Sequence, residues 1–193
     1  MTILYTKYFR LYLRMNPLPT FFGLSLYSSF EFKSEQQVYF NIDHALLAET
    51  LSAFQSTSNR SEVIKIAESI IVKDAYNANP SSMESALNAF AQTYPNGVVV
   101  LGDMKELGKE STEAHKMILD LALSLPISKI IAVGIEFGKA LNSLTEDRQH
   151  NVTIFENVSL LNAAWSWNEM QGKAILLKGS RSMQLEKLLL SIP

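Results

Sequence analysis

Three short stretches of this chain place acids, amides and cations where apolar runs end. The first, Asp74-Ala75-Tyr76-Asn77-Ala78-Asn79-Pro80, follows Ile70-Ile71-Val72 and precedes Met83, Ala86, Leu87 and Phe90, which share one face of a helix. It reads as a strand-to-helix loop, with Asn79 as the N-cap and Pro80 as the first helical residue, where the missing N–H is one that a helix leaves unbonded anyway. A carboxylate and two amides beside the positive end of a helix dipole suit a ribose, a phosphate or a peptide carboxylate. Turn and cap duties alone also account for them, because Asn and Asp gather at such places without any ligand.

The second stretch, Leu101-Gly102-Asp103-Met104-Lys105-Glu106-Leu107-Gly108, sets two carboxylates between two glycines after a strand, with His115 on the next helix. Asp103 and Glu106 are candidate substrate-binding acids. His115 reads as a residue flanking the apolar stripe of Ala114, Met117, Ile118 and Leu121, since nothing in the sequence gives it a proton-transfer partner. The third, Leu177-Lys178-Gly179-Ser180-Arg181-Ser182-Met183, joins exposed N–H groups, a glycine that permits close approach and two cations, and is the best anion site in the chain. A fourth junction, Gly134-Ile135-Glu136-Phe137-Gly138-Lys139-Ala140, imitates a phosphate-binding P-loop. It has three residues between its glycines where four are needed, and Ala140 stands where a hydroxyl would hold magnesium. Phe137, Ala140, Leu141 and Leu144 form its buried stripe, which turns Lys139 outward, so it is not a nucleotide loop.

The elements that must position these residues alternate. A hairpin of Glu62–Ile66 and Ile70–Lys73 is followed by strands at Val98–Leu101, Lys129–Val133, Val152–Phe155 and Ala174–Leu177. Between and after them come helices at about 111–124, 136–144, 159–167 and 182–190. The order implies an α/β fold, a doubly wound and mostly parallel sheet with an antiparallel edge hairpin. Ahead of it, Leu47, Thr50, Leu51 and Phe54 share a helical face behind an Asp43 cap, and the polar run Gln55–Asn59 reads as a linker. The expected organisation is an unassigned aromatic-rich segment at 1–38, a helix and linker at 39–58, and the α/β domain at 59–193.

Composition narrows the classes. The 193 residues carry 17 basic and 19 acidic side chains, a formal charge of -2, with no basic footprint for nucleic acid. No cysteine is present, which removes disulfides, thiolate catalysis and Cys-based zinc sites, and fits an intracellular protein. Lys7, Arg10 and Arg14 could flank a signal peptide, but Pro17 and Pro19 interrupt the apolar run behind them, and no run reaches the ~18 residues of a spanning helix. Neither a secretory signal nor a membrane segment is expected, and no metal ligands are assigned.

Together, Asn59-Arg60-Ser61, the loop from Asp74 to Met83, the run from Leu101 to Gly108, His115 and Lys178-Gly179-Ser180-Arg181-Ser182-Met183 closely resemble the C-terminal, Rossmann-like domain of the Mur ligase family. Within it they are most similar to the branch that adds D-alanyl-D-alanine in peptidoglycan precursor synthesis. The likeness covers about residues 39–193, with the Asp43 helix resembling the tail of the family's central domain. The resemblance implies a cytoplasmic amide ligase dependent on ATP and Mg2+, in which a UDP-MurNAc-tripeptide carboxylate takes the γ-phosphate and the dipeptide amine displaces phosphate through a tetrahedral intermediate. It further implies that Arg60 reaches the nucleotide phosphates and that Asp74 binds the ribose. By the same resemblance Tyr76, Asn77 and Asn79 line the nucleotide and dipeptide side, and Lys178, Ser180 and Arg181 form the last motif. Arg60 and Lys178 are then the candidate catalytic cations.

The departures are as informative. The chain contains no GxxxxGK[ST] loop, and the family's UDP-substrate and ATPase domains are represented only by that one helix. A truncated member unable to ligate alone is therefore the expectation, since the P-loop lysine and the magnesium supply the dominant charge stabilisation. A non-catalytic nucleotide- or dipeptide-binding module, or the equivalent domain of another amide ligase of the superfamily, stays open.

Overall fold

The computed structural model describes residues 62–191. The readings made on residues 1–61, including the Asp43 helix, the linker and Arg60, lie outside the described residues.

Among the described residues six strands form one sheet. β1 (Glu62–Ile66) and β2 (Ser69–Asp74) make the expected antiparallel hairpin, turning through Ala67 at φ 50. β3 (Gly97–Gly102), β4 (Ile127–Val133), β5 (Val152–Phe155) and β6 (Ala174–Lys178) are parallel to β2, in the order β1-β2-β6-β3-β4-β5. The chain leaves β2 for β3, walks outward through β4 and β5, and returns to lay β6 in the slot between β2 and β3. That return brings together three strand ends that are far apart in sequence, at the kind of position where open α/β sheets bind ligands.

Both faces are covered, because alternate residues of each strand point to opposite sides. On one face Ile71, Val98, Val100, Ile131, Ile175 and Leu177 cluster with Val158, Leu161, Met170, Leu185 and Leu188. The intervening positions Val72, Val99, Leu101 and Leu176 are equally buried. Three further helices bury their apolar stripes: α1 (Pro80–Thr93) with Met83, Leu87 and Phe90, α2 (Ser111–Ser124) with Ile118 and Leu119, and α3 (Ile135–Leu141) with Phe137 and Ala140. Gly97 lets α1 close on the sheet: a Cβ there would lie 2.6 Å from the Phe90 ring.

Two expected helices have a different form. The stretch expected at 159–167 is α4 (Val158–Ala164), an extended Trp165-Ser166 link and the single turn Trp167–Met170. Residues two apart cannot share a helix face, whereas the extended link lets Trp165 and Trp167 meet edge to face, 5.4 Å apart, against the core. The stretch expected at 182–190 is two 3-10 segments, Arg181–Met183 and Leu185–Ser191, separated by Gln184 in the left-handed region at φ 53. Leu185 and Leu188 are both fully buried, and on a three-residue turn side chains three apart lie directly in line. The α3 helix also ends three residues before its expected stop, and a single turn at Glu146–Gln149 follows it.

Candidate functional site

The rim of the sheet at the ends of β2, β6 and β3 carries all three polar clusters. Asp74 is the register partner of Lys178, which in turn faces Leu101. The Lys178 side chain is 2% exposed, its Nζ lies 2.9 Å from Asp74 Oδ2, and it donates to the Asn77 carbonyl at 2.9 Å. A cation so deeply buried holds its charge only because a carboxylate and a carbonyl replace its water. The pair thereby ties the first loop to the last. Above it, the Arg181 guanidinium lies 5.7 Å from the centre of the exposed Tyr76 ring, within cation–π range. Asn77 Oδ1 accepts from the Ala78 N–H.

Asn79 caps α1 as expected. Its Oδ1 accepts from the Ser82 N–H at 2.9 Å, and the Ser82 hydroxyl accepts from the Asn79 N–H at 3.1 Å, a reciprocal box that satisfies two donors the helix cannot. The Asn79 side-chain oxygen is therefore shared between the Ser82 N–H and the Ser81 hydroxyl, at 3.0 Å.

Asp103 departs from its expected place on the substrate surface. It is 1% exposed, and its carboxylate seals the start of α3, taking the Phe137 N–H on Oδ1 at 3.0 Å, the Glu136 N–H on Oδ2 at 3.2 Å and the Lys105 ammonium at 3.1 Å. Gly134 makes room for it, because a Cβ there would lie 2.2 Å from the carboxylate carbon and its φ is +130. The P-loop-like junction therefore does hold an anion, the protein's own. Lys139 points outward, 57% exposed and paired with Glu136 at 2.8 Å, as its place on the stripe implies.

The loop beyond Asp103 is braced from two directions. The Ser180 N–H donates to the Asp103 carbonyl at 3.2 Å, and the Lys105 N–H donates to Ser180 Oγ at 3.0 Å. His115, fully buried rather than merely flanking its stripe, accepts the Met104 N–H on Nε2 at 2.9 Å and donates from Nδ1 to the Ser111 carbonyl at 2.7 Å. An Nε2 that accepts carries no proton, so the ring is neutral and its 3.7 Å approach to Asp103 Oδ1 is proximity rather than an ion pair. Glu106 stands exposed at φ 66, a left-handed backbone that residues with a side chain seldom adopt.

Beside this loop lies an open cleft of about 420 Å³ whose polar lining comes from Lys105, Glu106, Ser111, Thr112, Glu136 and Lys139. The Lys139 ammonium, followed by the Ser111 hydroxyl, holds the Glu136 carboxyl below the ordinary carboxylate range. The sequence reading brought Asp74, Asn77, Lys178, Ser180 and Asp103 correctly to one rim. It missed Lys105 and Glu136, whose only signal was their place one or two residues past a strand-end glycine or acid.

Residues 59–181 match the family model described as "Mur ligase, glutamate ligase domain". The chain belongs to the Mur ligase family. Among the Mur ligases it is 36% identical over 131 residues to the UDP-N-acetylmuramoyl-tripeptide--D-alanyl-D-alanine ligase of Treponema pallidum, covering 67% of this chain and 28% of that protein. The enzyme of the same name from Bacillus subtilis is 35% identical over 158 residues, covering 78% of this chain and 34% of that one. A MurF crystal structure from Acinetobacter baumannii superposes with a TM-score of 0.68 at 26% identity, over 80% of this chain and 34% of that chain. The MurF ligase of Thermotoga maritima in complex with ADP shares the fold at 22% identity, with a TM-score of 0.59 over 72% of this chain and 31% of that one. The described residues carry the C-terminal domain of a MurF-type ligase, with the mostly parallel sheet and one antiparallel pair that the sequence implies. The chain spans about a third of the length of the curated Mur ligases it matches.

Proposed function

We propose that the rim formed by residues 74–79, 103–108 and 178–183 is one side of an ATP-dependent amide-forming cleft that joins D-alanyl-D-alanine to a UDP-MurNAc-tripeptide. The observation that carries the reading is the convergence itself: the 2.9 Å Asp74–Lys178 pair and the Lys105–Ser180 bond unite three loops spread over more than half of the sequence. The relatives' names supply the substrates.

The rim has two parts. On the first, Tyr76 and Arg181 offer an exposed aromatic face and a guanidinium beside the Asp74 carboxylate, a set that suits a nucleoside with its phosphates. Arg60, which lies outside the described residues, is assigned to the same phosphates. Lys178, being buried, acts by fixing Asp74 and Asn77, so it is a positioning residue rather than one that touches the nucleotide. On the second part the 420 Å³ cleft presents two ammonium groups and two carboxylates, which complement the two charged ends of a dipeptide. Lys105 and Lys139 would take its carboxylate, and Glu106 or Glu136 its amine. Ser180 joins the two parts, with Asn77 and Asn79 at the edge of the first.

Among the described residues no cluster of three His, Asp or Glu side chains could hold a metal, so magnesium is assigned to none of them. No helix among them is long and apolar enough to cross a membrane. With no P-loop in its sequence, the chain is expected to bind without ligating. Titration of 15N-labelled chain with D-alanyl-D-alanine and, separately, with Mg-ADP tests the reading. Dipeptide shifts are expected at residues 105–112 and 136–139, and nucleotide shifts at 74–77 and 181. Shifts at the opposite end of the sheet, around Tyr94 and Lys173, would overturn it, as would phosphate release at an ordinary enzymatic rate by the chain alone.

A further inference from the structure

The bracing of residues 103–108 depends on a group whose hydrogen-bonding character changes with one proton. In the neutral ring Nε2 is the acceptor for the Met104 N–H and Nδ1–H is the donor to the Ser111 carbonyl. A proton added to Nε2 makes both nitrogens donors, so the Met104 N–H faces a second N–H and loses its partner. The new donor has an acceptor close by, Asp103 Oδ1 at 3.7 Å. That oxygen already takes the Phe137 N–H, so closing the gap draws on the cap that seats α3.

Charged groups approach the ring from the 103–105 loop and from α3, and its own helix offers a hydroxyl and a carbonyl. Asp103 and Lys105 lie on the loop, Ser111 on the ring's own helix, and Glu136 on α3 is bonded to the Ser111 hydroxyl at 3.0 Å and to Lys139 at 2.8 Å. Phe137 meets the imidazole edge to face with centroids 4.6 Å apart, so the ring cannot slide away to keep Met104 as its partner.

We propose that His115 is a proton-operated latch on the loop carrying Lys105 and Glu106: neutral, it holds the loop against Ser180, and protonated, it releases Met104 and re-aims the Lys105 side of the cleft. This is a regulation of the site proposed above and rests on that reading for its consequence. The latch itself is tested without ligand, so the two can fail separately.

The test is NMR on 13C,15N-labelled full chain across acid to neutral pH, following His115 Cε1 and the Met104 and Lys105 amides, with hydrogen exchange corrected for its intrinsic pH dependence. All three resonances are expected to share one midpoint. Below it the Met104 amide should exchange about tenfold faster, the equivalent of one net hydrogen bond. In His115→Asn, or His115→Gln if that variant folds better, the shared transition of Met104 and Lys105 should vanish while the amides of the sheet core keep their wild-type positions. The proposal is overturned if His115 takes up its proton while Met104 and Lys105 stay still, or if their transition survives the substitution. It is also overturned if His115 stays neutral down to the pH at which the chain unfolds.

Discussion

The ends of β4 and β6 look alike in sequence and behave differently in the fold. Each strand end carries a glycine with a lysine near it, Lys139 five residues after Gly134 and Lys178 directly before Gly179. At the β4 end the helix amides are closed by the Asp103 carboxylate, and Lys139 is left on the surface. At the β6 end the lysine is the buried member, held by Asp74 and Asn77, and Arg181 is left exposed beside Tyr76. Where the protein's own carboxylate fills the amide pocket, the glycine serves an internal anion. Where a guanidinium is left exposed beside an aromatic ring, the junction can serve an external one. Letters alone do not separate these cases, since the decisive residue at the β4 end is supplied from the loop after β3, 31 positions upstream, at Asp103 against Gly134.

The sharpest way to break the comparison is to unseat Asp103. Gly134→Ala puts a Cβ into the carboxylate and asks alanine for a φ of +130, so the buried charge loses the two N–H groups that hold it. Expelling a buried paired charge costs about 3–5 kcal/mol and the strained backbone a further ~1–3 kcal/mol. The expected loss in chemical denaturation is thus about 4 kcal/mol or more. Asp103→Ala in the same background should then cost little extra, because the clash disappears with the side chain. Full additivity would show that Gly134 serves something other than this carboxylate.

Next in size is Lys178→Met. It fills the same space but leaves Asp74 without its cation and the Asn77 carbonyl without its donor. Removing one member of a buried pair costs about 3–5 kcal/mol; Asp74 keeps some access to water, with 19% of its side chain exposed, so a loss near 3 kcal/mol is expected. A change below ~1 kcal/mol would place Lys178 on the surface with Lys139 and erase the contrast between the two junctions. Asn79→Ala should cost about 1 kcal/mol, the usual worth of an N-cap, read from the same denaturation curves.

Most of the frame was legible in the sequence because strands and helices are written in apolar spacing: the run Ile70–Val72 and the stripe Met83, Leu87, Phe90 lead directly to β2 and α1. The Asn79-Pro80 boundary was equally plain, since cap chemistry is local. What could not be read depended on partners distant in sequence. The left-handed Gln184 and the meeting of Trp165 with Trp167 are imposed by the core, against a pattern that equally suits a helix. For the same reason Asp103 read as a substrate acid: nothing near it in the sequence announces that α3 will bring two N–H groups to its oxygens.

The smallest effect belongs to the surface cation. Lys139→Ala removes the principal cause of the lowered Glu136 carboxyl while leaving the buried stripe untouched. A carboxylate whose folded value is lowered contributes stability above its ordinary range, and loses that contribution as the pH falls through the folded value. Wild type should therefore exceed Lys139→Ala by only ~0.3–0.5 kcal/mol near neutral pH, as exposed pairs do. The two should converge in acid, where both carry a protonated Glu136. Thermal unfolding of both proteins across that range measures the difference. A gap that persists in acid would mean that Lys139 stabilises the fold through packing rather than charge, and the β4 junction would then depend on its lysine as the β6 junction does.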